Sequence, residues 1–118
     1  MPVNTLADRL ARIRVRFMTS IESKIEHAFA DLPKLSGESR NAALVETYRR
    51  IHGIVGVGPT VGFPATSKAA KAVENVLLGP YDKSRGLVPD EMASLTKALH
   101  ALRETARQEL QTTYTNWR

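Results

Sequence analysis

The chain has no cysteine among its 118 residues, which excludes a disulfide framework, a thiol nucleophile and a thiolate zinc site. It has no apolar run long enough to cross a bilayer. Met1-Pro2-Val3-Asn4-Thr5 lacks the charged and apolar regions of a signal peptide. A cytoplasmic location with no membrane partner is therefore expected. Aromatic residues make up only 6% and sit mostly at core spacing, which argues against base stacking. The three histidines, His27, His52 and His100, are far apart and lack metal-ligand spacing. No metal site or cofactor is expected from them, and His27 and His100 read as structural or solvent-facing. Strand-type alternation, internal repeats and low-complexity segments are missing as well.

What is present suits one compact domain over residues 1–118, with 42% hydrophobic content. The net charge of +5 invites a nucleic-acid reading, which needs the basic side chains gathered in one patch. Arg9, Arg12 and Arg16 share a helical face, but Arg49-Arg50, Lys68-Lys71 and Arg103-Arg107 are scattered. A solvated basic surface that favours acidic partners is the better reading, and no nucleic-acid partner is expected.

Thr5 with Asp8 three residues on predicts a capping box. Leu6, Leu10, Ile13, Phe17, Ile21, Ile25, Ala28 and Leu32 then recur at three- and four-residue intervals, an amphipathic helical stripe that runs to Pro33. Arg14 falls near that stripe, so the segment is either one long helix or a short leading helix followed by a second. Pro33 to Gly37 reads as a turn, with Ser36 or Ser39 as the next cap. A second helix runs to about Val57 with Leu44, Thr47, Tyr48, Ile51, Ile54 and Val55 on its apolar face. Gly56, Gly58, Pro59 and Gly62 end it. Pro64 suits the first turn of a third helix, whose face is Ala69, Ala70, Val73, Val76 and Leu77. Gly79-Pro80 through Gly86 reads as a polar loop. Pro89, Asp90 and Glu91 start a last helix with Met92, Leu95, Leu99, Leu102, Ala106, Leu110 and Trp117 on its stripe. Four such helices joined by turns predict an all-α, antiparallel four-helix bundle.

At about 100° per residue, His52 lies at the edge of the second helix's apolar face, with Arg49 one turn before it and Gly56 one turn after. Glu74 lies at the matching edge of the third helix, with Ser67 and Lys71 on the same flank. Antiparallel packing would bring Glu74 and Lys71 towards the imidazole, although Glu74 could equally pair with Lys71 three residues before it.

His52, Ile54, Gly56 and Gly58, followed by Gly62-Phe63 and the acidic Glu74, make a pattern that resembles the histidine phosphotransfer (HPt) domain family. The resemblance spans Tyr48 to Glu74, and the flanking bundle extends it over most of the chain. It implies a phosphoryl carrier of a multistep phosphorelay, with no autonomous kinase or phosphatase activity. It also implies, as partner, a response-regulator receiver domain or a hybrid histidine kinase, the receiver contributing the aspartate and the magnesium. A monomer is expected.

The chemistry suits these residues. Histidine titrates near neutrality, so a neutral ring nitrogen is available as a nucleophile. Glu74 would orient the imidazole through its other nitrogen, and Gly56 would leave steric access. The family usually has lysine three residues after the histidine, where this chain has Val55. Lys71 or Arg49 would then stabilise the phosphoryl oxygens. Two readings stand beside this one: a helical docking protein for receiver domains without transfer, and a basic module for nucleic acid or an anionic surface.

Overall fold

The computed structural model describes residues 5–36 and 42–116, and among them the chain is an all-α bundle of four helices. Helix α1 spans Leu6–Asp31 and is followed by a 3₁₀ turn, Leu32–Lys34. Helices α2, α3 and α4 span Ala42–Val57, Pro64–Asp82 and Pro89–Asn116. Helix α1 starts as the capping box predicts: the Thr5 hydroxyl accepts from Asp8 N–H, and the Asp8 carboxylate accepts from Thr5 N–H.

The leading-helix alternative is not what forms, because α1 is continuous. Arg14 interrupts the apolar stripe for a tertiary reason: its Nε donates to the Val61 carbonyl in the α2–α3 turn at 3.1 Å. Phe17 stacks on Phe63 beside that turn, with ring centroids 5.3 Å apart. The residues before Arg14 therefore reach past the turn, and Leu6, Leu10 and Ile13 stay exposed although they continue the stripe. Phe17, Ile21, Ile25 and Ala28 are the members of α1 that enter the core.

Helices α2, α3 and α4 give the core Leu44, Ile51, Ile54, Ala70, Val73, Leu77, Leu95, Leu99 and Leu102. Val61 and Phe63 of the α2–α3 turn join them, and so do two further residues between helices. Leu35 and Leu87 are buried, and Leu87 N–H donates to the Leu35 carbonyl at 2.8 Å in an isolated bridge. Ser36 forms that bridge with Leu87 instead of capping α2, and Ser39 lies outside the described residues, as does Trp117.

Helix α3 corrects the expected loop at Gly79-Pro80, since it continues through both residues to Asp82. Proline inside a helix forfeits one backbone hydrogen bond. Here the Pro80 ring is buried, and the next residue, Tyr81, stacks on Tyr48 of α2 at 4.1 Å. Packing against α2 thus outweighs the local preference to stop. The helix closes beyond Lys83, where Ser84 adopts a left-handed backbone with φ 53° and Arg85 N–H reaches the Pro80 carbonyl. The start of α3 has no cap from its own neighbours. Glu109 of α4 supplies one, accepting from Ala65 N–H at 2.9 Å and Thr66 N–H at 2.7 Å, which locks α3 antiparallel to α4.

Candidate functional site

The α2–α3 junction sets the spacing of the site. Pro59 has no N–H to offer the Val55 carbonyl four residues back, and the Ser67 hydroxyl of α3 donates to it instead at 2.8 Å. Gly58 lies against Ser67. A Cβ there would come within 2.8 Å of the Ser67 Cβ and 2.9 Å of the Ile54 carbonyl oxygen. The two helices therefore meet with no side chain between them at Gly58, one turn and a half past His52. Gly62, with φ +93°, supplies the left-handed residue that turns the chain into α3.

Nearly two turns further along both helices, His52 Nδ1 and Glu74 Oε2 are 2.5 Å apart. The two ends of this contact differ sharply in exposure. The His52 side chain is 65% exposed and the Glu74 side chain 4%. The second carboxylate oxygen of Glu74 accepts from Lys71 Nζ at 2.7 Å. Both pairings that the sequence left as alternatives are thus made together, one on each oxygen.

Burial pushes the Glu74 carboxyl up, but the hydrogen bonds from Lys71 and His52, with their charges, outweigh it and hold the carboxyl below its ordinary range. The same contact raises the Lys71 ammonium. An ionised carboxylate can only accept, so the proton in the His52 contact belongs to Nδ1. The unprotonated lone pair of the neutral ring is then at Nε2, on the solvent side. The protein holds a nucleophilic nitrogen outward from a buried anionic anchor.

Two aromatic rings that sequence reading assigned to packing alone or left in a loop extend the site. The Tyr48 ring lies nearly parallel to the His52 ring, with centroids 5.9 Å apart and an interplanar angle of 8°. Tyr81 stacks on Tyr48, so the rings form a short column across α2 and the end of α3. Burial, then the charges of Glu74, Tyr81 and Asp82, push the Tyr48 hydroxyl above its ordinary range, keeping it neutral. The signal for Tyr48 was available in sequence, because it precedes His52 by four residues on one helix face. Tyr81 had none, since it follows Gly79-Pro80.

Other candidate residues are placed differently. Gly56 is exposed and a Cβ there would meet nothing within 4 Å, so the outer side of His52 is open. Arg49 faces Glu46 at 3.8 Å, an exposed pair on its own helix. Val55 is half-buried and packs against the core. His27 is exposed with Ser23 at 3.4 Å, and His100 meets Phe29 edge-on at 4.9 Å. Among the described residues no group of three or more His, Cys, Asp or Glu could hold a metal ion, and no helix is long and apolar enough to cross a membrane. Arg9, Arg12 and Arg16 gather around Ile13 on the projecting part of α1. Comparison of the chain with protein-family models, curated proteins and solved structures found no match.

Proposed function

We propose that this protein is a histidine phosphotransfer protein that receives a phosphoryl group on His52 and passes it on. The observation that supports the reading best is the exposed imidazole whose Nδ1 is anchored by the buried Glu74 carboxylate, beside the empty edge at Gly56. The donor is an aspartyl phosphate on a receiver domain. The Nε2 lone pair attacks phosphorus, the P–O bond to the aspartyl carbonyl carbon's oxygen breaks, and the aspartate leaves as a carboxylate. The positive charge that develops on the ring is stabilised through Nδ1–H by Glu74. Transfer to a second receiver reverses these steps. The magnesium belongs to the partner receiver, and the chain works as a cytoplasmic monomer in a two-component phosphorelay.

Incubation with a phosphorylated receiver tests this. The expected product is an acid-labile, alkali-stable phosphate on the chain, lost in His52→Gln, and Gly56→Leu should keep the fold but block transfer by crowding the imidazole. Transfer by Gly56→Leu at the wild-type rate would show that the open edge is irrelevant. Val55, in the place where the family usually has lysine, is the observation that favours the alternative of a docking protein without transfer. Tight receiver binding with no phosphate on His52 is the result that reading requires.

A further inference from the structure

The phosphoryl group proposed for His52 is dianionic, and of the two cations that sequence reading offered for it Lys71 is engaged and Arg49 stands in a weak exposed pair. Lys71 Nζ is held by Glu74 Oε1 at 2.7 Å, on the anchored side of the ring. Withdrawing it would strip the buried carboxylate of one of its two partners. Arg49 pairs with Glu46. A third cation reaches the same surface from α1. The Lys24 ammonium lies against Gly53, the residue next to His52, at 3.2 Å from where a Cβ would stand. Lys24 is half-buried, and no carboxylate among the described residues lies within ion-pair distance of it.

Local geometry explains why α1 can deliver it. Helices α1 and α2 run antiparallel, fixed by Arg50 with Asp31 at one end and Arg14 with Val61 at the other. Lys24 falls between those ties. At about 100° per residue, positions 53 and 56 lie on the outer side of α2 next to His52. Both are glycine, so no side chain rises from either position between the imidazole edge and the ammonium. Gly53 thus has a use distinct from that of Gly56: it admits a side chain from the neighbouring helix.

We propose that Lys24 is the cation that binds the phosphoryl oxygens on His52, taking from α1 the role that Val55 cannot fill on α2. This inference rests on the reading of His52 as the phosphoacceptor. A flexible ammonium donates up to three hydrogen bonds and needs no fixed fork, so it can follow phosphorus from donor to ring.

A small phosphodonor separates the two ideas without a partner protein. In phosphoramidate, Nε2 attacks phosphorus, the P–N bond breaks and ammonia leaves with the bonding pair. Labelling is followed by intact mass, with circular dichroism confirming the fold of each variant. The expected result is labelling abolished by His52→Gln, slowed at least fivefold by Lys24→Met, which keeps the apolar stem, and largely restored by Lys24→Arg. Gly53→Leu should reproduce the loss by filling the space that the ammonium uses. If Lys24→Met labels within twofold of wild type while His52→Gln is inert, the role of Lys24 is overturned and the phosphoacceptor reading stands. If His52→Gln labels as wild type does, both fail.

Discussion

The most direct test of the site is the tautomer of His52. Glu74 is buried and its carboxyl is held below the ordinary range, so at neutral pH it is an acceptor for Nδ1–H. A hydrogen bond to an ionised group contributes about 1.5–3 kcal/mol. The imidazole is 65% exposed, and solvent screening reduces the net effect to about 1 kcal/mol. That corresponds to about a fivefold bias towards the Nδ1–H form, measured against Glu74→Ala. Ring-nitrogen NMR at a pH where the imidazole is neutral reads the ratio directly. Only this form offers its lone pair at Nε2, so the rate of phosphoryl acquisition should also fall in Glu74→Ala, by roughly two- to threefold, because a fivefold change in the ratio changes the population of the reactive form by less. An unchanged tautomer ratio in Glu74→Ala would refute the anchoring of the ring by Glu74, whatever happened to the rate.

Three further outcomes are expected. Gly58→Ala should destabilise the fold by about 2 kcal/mol in urea unfolding, because its Cβ meets Ser67 and the Ile54 carbonyl, whereas Gly56→Ala, in open space, should stabilise by about 0.5–1 kcal/mol; equal effects would contradict the close α2–α3 approach. Ser84→Gly should raise stability by about 1 kcal/mol, since Ser84 holds φ 53° at the end of α3, and a loss would show that its side chain matters more than its backbone. Because the folded carboxyl of Glu74 lies below its ordinary value of 4.5, its stabilising contribution is complete above that value and is lost as pH falls through the folded one. The stability of wild type relative to Glu74→Gln should therefore drop by about 1 kcal/mol on acidification from pH 6 to below that range, the partners being more than half exposed. A difference that stays constant with pH would contradict the lowered carboxyl.

The four helices, the Thr5–Asp8 box and the turn at Gly58 to Gly62 were legible in the sequence because each depends on residues within one or two turns of one another. So were the positions of His52 and Glu74, each at the edge of its own helix's apolar face, which follow from helical periodicity alone. Other features depend on partners far along the chain. The continuation of α3 through Pro80 needs Tyr48 beneath Tyr81, and its N-terminus needs Glu109, more than forty residues away in sequence. Sequence reading placed Gly56 and Gly58 at the end of α2, with Gly56 leaving access to His52, and gave Gly53 no role; their neighbours separate the three into a position beside Lys24, an open edge and a helix contact.

The sequence by itself therefore determined that this chain forms an all-α bundle and which side chains stand at the edge of its second and third helices, since capping and periodicity are short-range. Tertiary structure alone decided that Glu74 is buried with both oxygens engaged and that Lys24 lies beside Gly53, whereas the pairing of Lys71 with Glu74 is a short-range one that sequence spacing already offered. Burial and distance between helices arise only when the helices pack, and no local spacing encodes them.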